Sequence, residues 1–160
     1  MKKLWDDDKA LAENLQKRLP KLTAKFFKKG RRAMQSGTSW AEIHKFRLET
    51  KRFRYTLELF RPFYGPGLEE RIEQIRGLQT LMGDINDCVT AGGLLKGLDG
   101  SETDRTGLEK KAQQKTRKLR RLWKENFEPA EAEQHWTEYL RRYARAPGPK
   151  TAAGDGDAPA

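Results

Sequence analysis

Between residues 72 and 94 the apolar side chains Ile72, Ile75, Leu78, Leu81, Met82, Ile85, Val89 and Leu94 recur mostly every three or four positions. That is the period of one face of an α-helix. Leu15, Leu19, Leu22 and Phe26 repeat it near the start of the chain, and Ile43, Phe46, Phe53, Leu57 and Phe60 repeat it in the next segment. No segment sustains the alternation of a half-buried strand. The spacing therefore predicts an all-α fold, a compact antiparallel bundle of four to five helices. At 160 residues the chain fits one domain with a real core.

Punctuation sets the expected boundaries. The first helix is predicted over Leu4–Ala33, interrupted or bent at Pro20 and ended by the Ser36–Ser39 run. Ser39 caps a second helix over Trp40–Phe60, with Glu42 three residues on completing a capping box. Arg61-Pro62 stops that helix, and Tyr64–Gly67 reads as a turn. A third helix is expected over Leu68–Leu98, its glycines permitting close packing, followed by a loop over 99–107. A fourth spans Leu108–Asn126 and a short fifth Ala130–Ala144, giving a helical domain over 1–146. Residues 147–160 lack core-forming side chains and read as a disordered tail.

Charge is segregated by helix. Lys and Arg total 33 against 23 Asp and Glu, a formal net charge of +10. Residues 17–32 hold eight bases and no acid, and residues 105–124 hold nine bases against Glu109 alone. Residues 67–99 hold six acids and three bases. In the second helix His44, Arg47, Lys51 and Arg54 are spaced three, four and three. At about 100° per residue they fall within roughly 80° of one another. Like charges at those spacings repel by a few tenths of a kcal/mol per pair, so a stripe of this kind points to an anionic partner. A polyanion such as nucleic acid, polyphosphate or an anionic membrane surface fits the overall charge.

Other signals are weaker. Tyr55 reads as a packing residue, Asp84 and Asp87 as ion-pair partners, and Trp5, Trp40, Trp123 and Trp136 as core or interface aromatics. Cys88, the one cysteine, reads as a small buried hydrophobe and excludes an intramolecular disulfide. No apolar run approaches a membrane span or a signal peptide, so a cytoplasmic protein is expected. No phosphate-binding glycine loop, GxSxG or HExxH is present, and neither a carboxylate cluster nor a second histidine stands at ligand spacing. The sequence thus implies a non-enzyme with no metal and no cofactor.

The segment HKFRLETKRFRYTLELF (residues 44–60) resembles the signature helix of CHAD domains, the conserved histidine α-helical domains. IRGLQTLMGDINDCVTAGGLL (residues 75–95) is similar to the helix that follows in that family, including Gln79, Gly83, Asn86 and Asp87. The resemblance implies a helical bundle, binding of inorganic polyphosphate through a basic surface, and association with polyphosphate granules. Carried over by position, the binding residues are His44, Arg47, Lys51 and Arg54. Charge segregation adds Lys21, Lys25, Lys28, Arg117 and Arg121 as extensions of the same surface. Family domains commonly have two histidine-bearing halves. This chain has one, because His135 lacks the basic spacing, so a single CHAD-like repeat is expected and a homodimer would supply the second half. A nucleic-acid-binding protein using the same faces is the alternative, and a polyphosphate- or triphosphate-processing enzyme a more distant one.

Overall fold

The computed structural model describes residues 10–142, 144 and 145. Five α-helices run in order: α1 Leu11–Ala33, α2 Trp40–Leu59, α3 Pro66–Leu95, α4 Glu102–Asn126 and α5 Ala132–Arg142, with a 3-10 turn at Arg61–Phe63. There is no strand among the described residues. Expectations for residues 1–9, Trp5 included, and for the 147–160 tail lie outside the described residues.

Side-chain pairs fix the neighbours. α2 lies between α1 and α3, and α3 lies between α2 and α4. Lys29 of α1 meets Glu49 of α2 at 2.8 Å, Asn86 of α3 meets His44 of α2 at 2.9 Å, and Asp84 of α3 meets Lys115 of α4 at 3.0 Å. α5 lies along α1, where Arg31 bonds Glu133 at 2.7 Å and Gln16 Nε2 donates to the Ala144 carbonyl at 3.4 Å. The Tyr64 hydroxyl donates to the Leu140 carbonyl at 2.9 Å, and the Tyr139 hydroxyl to the Tyr64 carbonyl at 2.8 Å, which ties α5 to the α2–α3 connection.

The core is aromatic at its centre. Phe26, Phe27, Phe46, Phe53, Trp123, Phe127 and Trp136 are all buried and share ring contacts, with Trp123 stacked on Phe127 at 4.8 Å between centroids. Each such ring contributes roughly 1.5–3 kcal/mol by leaving water. Leu15, Leu19, Leu57, Leu68, Ile72, Ile75, Leu78 and Leu119 extend the core along the helices. Cys88 is a buried free thiol, as its sequence context implied.

The structure corrects several sequence expectations. Pro20 lies inside a continuous α1 and is buried, so it does not interrupt the helix, although it removes the hydrogen bond its own N–H would have made. α4 begins at Glu102, six residues earlier than Leu108, so the expected 99–107 loop shrinks. The turn is made instead by Gly97 and Gly100 at φ 85° and 76°. Ser101 Oγ donates to the Leu95 and Leu98 carbonyls at 2.8 and 2.6 Å, and Glu102 and Asp104 suit the first turn of α4 electrostatically. Leu22 and Leu94, counted in the apolar rows of their helices, are 40% and 75% exposed. Of the α3 glycines, Gly67 and Gly77 give close packing, against Tyr139 of α5 and Leu122 of α4, whereas Gly83, Gly92 and Gly93 border open space.

Candidate functional site

The flank of α2 that faces α3 carries the cationic stripe. α3 answers it with a row of its own: Arg76, Gln79, Gly83 and Asn86, spaced three, four and three like His44, Arg47, Lys51 and Arg54. The helices are antiparallel, so the rows meet head to tail. His44 Nδ1 lies 2.9 Å from Asn86 Oδ1 at one end. At the other, Glu58 Oε1 accepts from Arg54 Nη1 and Arg76 Nη2, both at 3.1 Å. Arg76 also pairs with Glu73. That bond, with lesser help from Glu58, holds the Arg76 guanidinium's pKa above its ordinary value.

Between these two ends the groove is cationic and short of partners. Among the described residues, no carboxylate pairs with Arg47 or Lys51; the groove's ion pairs all involve Glu58 or Glu73. The Nε atoms of Arg47 and Arg54 and the Oε1 of Gln79 are out of solvent without a hydrogen-bond partner. Arg71 and Arg120 carry the same buried, unpartnered Nε elsewhere in the bundle, so it is the unpaired charge of Arg47 and Lys51 that sets this seam apart. At Gly83 an added Cβ would meet nothing within 4 Å, which leaves room beside the row. Tyr55, expected to pack, is 49% exposed instead. Arg54 and Lys51 lie 4.8 and 5.7 Å from its ring centre, so the ring flanks the stripe.

The remaining predicted cations do not join this groove. Lys21, Lys25 and Lys28 are exposed on α1, about 100–160° around the helix from its buried Leu15–Leu19–Phe26 row at 100° per residue. The α1-facing flank of α2 is the one bearing Glu49, opposite the stripe. Arg117 and Arg121 are exposed on α4, again about 150° from its buried Ala112–Thr116–Leu119–Trp123 row. α3 stands between them and the stripe, because α4 contacts the other flank of α3 through Lys115–Asp84 and Leu122–Gly77. The expected single cradle from three helices is therefore not what the bundle builds. A bundle packs each helix by its apolar face and turns the most charged faces outward in different directions.

Sequence reasoning placed the α2 half of the groove and overlooked Arg76, Gln79 and Asn86 as its other wall. The repeated three-four-three spacing in α3 was the available signal. Asp84 is an ion-pair partner as read, with Lys115; Asp87 is exposed. No group of three or more His, Cys, Asp or Glu side chains able to hold a metal ion occurs among the described residues. No helix among them is long and apolar enough to cross a membrane.

Comparison with curated proteins and with solved structures yields no match. The CHAD domain family model matches residues 2–96, more than half of the chain, and covers α1, α2 and α3 with both walls of the groove. CHAD domains are associated with polyphosphate- and triphosphate-related proteins. With the histidine-bearing helix, the helix that pairs with it and the all-α architecture in place, this chain belongs to the CHAD domain family.

Proposed function

We propose that the α2–α3 groove binds inorganic polyphosphate without cleaving it, and that the protein serves as a targeting or scaffolding module on polyphosphate-rich bodies in the cytoplasm. The observation that carries this reading is the pair Arg47 and Lys51, held between two packed helices with no carboxylate partner among the described residues. Arg offers a planar fork to phosphate oxygens and Lys a mobile point charge. Helix packing limits the freedom these side chains lose on binding. His44, fixed through Nδ1 by Asn86, leaves Nε2 to donate to a phosphate oxygen when the ring is protonated. The outward bases of α1 and α4 add long-range attraction rather than direct contacts.

The test is the double variant Arg47→Ala/Lys51→Ala. Polyphosphate affinity should fall by at least about ten-fold, each lost charge-assisted bond being worth roughly 1.5–3 kcal/mol, with the helical circular-dichroism spectrum unchanged. Unchanged affinity removes the groove from the function. Orthophosphate release from polyphosphate with Mg²⁺ or Mn²⁺ would argue for an enzyme instead. A homodimer would bring a second histidine motif, and a monomeric mass by light scattering at micromolar concentration argues against it.

One observation favours a second reading. Tyr55 is an exposed ring flanked by Lys51 and Arg54, and aromatic rings beside cations form stacking platforms for bases. Competition separates the two: long-chain polyphosphate should displace single-stranded RNA or DNA at much lower phosphate concentration than the reverse.

A further inference from the structure

The α1–α2 hairpin encloses a second cationic hollow. It has a volume of about 620 Å³, and Lys29, Arg32, Lys45 and Arg52 line it together with Glu42 and Glu49. A smaller hollow of about 130 Å³ adjoins it, shares Lys29, Glu49 and Arg52, and adds Lys25. At 100° per residue the Glu42–Lys45–Glu49–Arg52 row lies about 160° around α2 from the stripe. The helix thickness, about 10 Å, separates the two.

Glu49 reports the local field. Lys29 bonds it at 2.8 Å, and Arg52 lies 3.9 Å away. Its carboxyl is held below the ordinary carboxylate value chiefly by the Lys29 hydrogen bond, against the opposing effect of burial, with attraction from Lys29, Arg52 and Lys25 added. One carboxylate thus sits where several cations converge, while Arg32 and Lys45 have no carboxylate partner among the described residues. Arg32 and Lys45 are exposed and free to turn onto a ligand, and the exposed Arg52 is held only by its 3.9 Å pairing with Glu49. Four cations face two carboxylates, Glu42 and Glu49, so the wall keeps a net positive charge, and its two arginine forks with lysines suit the closely spaced oxygens of adjoining phosphates.

We infer that the α1–α2 cleft is a second binding site for a run of phosphate groups, so that one molecule holds two polyphosphate segments on opposite sides of α2. This rests on the polyphosphate reading of the α2–α3 groove and adds bridging to it. A protein with two such sites links separate polyphosphate chains, and a single long chain engaging both gains avidity.

Calorimetric titration with tripolyphosphate tests it. The unsubstituted protein should take two equivalents per chain. Arg47→Ala/Lys51→Ala should keep one, and Arg32→Ala/Arg52→Ala should keep the other. With long-chain polyphosphate, light scattering should rise for the unsubstituted protein and stay flat for both double variants. Arg32→Gln/Arg52→Gln, which keeps side-chain bulk, replaces the alanine pair if that variant loses its helical spectrum. One equivalent that vanishes in the Arg47/Lys51 variant overturns the second site and leaves the groove reading standing. No tripolyphosphate binding by the unsubstituted protein overturns both. ATP binding to the Arg47/Lys51 variant much more tightly than tripolyphosphate overturns a bare phosphate chain as the ligand of the cleft.

Discussion

Asn86 of α3 holds the imidazole of His44 of α2, with Oδ1 2.9 Å from Nδ1 across the groove. With Nδ1 engaged by an acceptor, the tautomer is set and Nε2 is the nitrogen left for a ligand. Asn86→Ala removes that orientation without opening the core, because both residues are at the surface edge of the helix pair. A polyphosphate titration should show about a five-fold loss, the worth of one ordinary hydrogen bond. Loss equal to that of the Arg47/Lys51 variant would mean that Asn86 contacts the ligand itself.

Counterion release makes binding to a linear polyanion steeply salt-dependent. Affinity for long-chain polyphosphate should fall sharply between about 50 and about 200 mM salt. The slope of log affinity against log salt should become shallower in Arg47→Ala/Lys51→Ala, since two fewer cations displace counterions. An unchanged slope would place those side chains away from the phosphates.

Gly30 is required by Trp123. A Cβ at position 30 would stand 2.0 Å from Trp123 Cη2, and that indole is 2% exposed and walled in by Phe26, Phe27, Phe46 and Phe127. Gly30→Ala gains about 1 kcal/mol of helix propensity and still has to displace a buried ring. Overpacking costs about 1–3 kcal/mol or more, so a lower urea midpoint is expected. Equal or higher stability would show that α1 and α4 separate without penalty.

Burial, with the neighbouring Tyr139, pushes the Tyr64 phenol far above its ordinary pKa. A phenol whose folded-state pKa is raised keeps its full stabilising effect below the unfolded value, near 10. That contribution falls as pH rises beyond it, because only the unfolded chain then loses the proton. The unsubstituted protein should lose stability progressively above about pH 10, and Tyr64→Phe should flatten part of that loss. At neutral pH the same variant should be about 1–2 kcal/mol less stable, since the buried Leu140 carbonyl loses its donor at 2.9 Å. Parallel pH profiles would separate the alkaline loss from Tyr64.

Glu49 has the opposite sign. Its carboxyl, held low mainly by the Lys29 hydrogen bond, stabilises the fold above the unfolded carboxylate value and ceases to do so as pH falls through the folded one. Glu49→Gln should therefore be slightly less stable than the unsubstituted protein near neutrality, with the gap closing in acid. The pair is about one-third exposed, so the effect stays within about 1 kcal/mol. The same variant should bind tripolyphosphate more tightly in the α1–α2 cleft, because Lys29 and Arg52 are released.

Local pattern determined the helices. The apolar period from Ile72 to Val89, the Ser39 cap with its 3.3 Å bond from the Glu42 amide, and the Arg61-Pro62 stop are all decided within a few residues of chain. The His44–Arg54 stripe was equally legible, since helical spacing alone puts those side chains in one sector. The start of α4 at Glu102 was less so, because Asp, Ser, Thr and Gly serve a loop or a capped first turn equally well, and the choice fell to Ser101 closing α3. What only the tertiary structure decided is which face meets which. The register that sets Asn86 on His44 and Arg76 beside Arg54, the aromatic core that draws Gly30 onto Trp123, and the turning of the α1 and α4 bases away from the stripe all depend on contacts between residues far apart in sequence. A helix's own sequence fixes the angle between its faces, but the direction each face points is fixed by the partner that buries its apolar side.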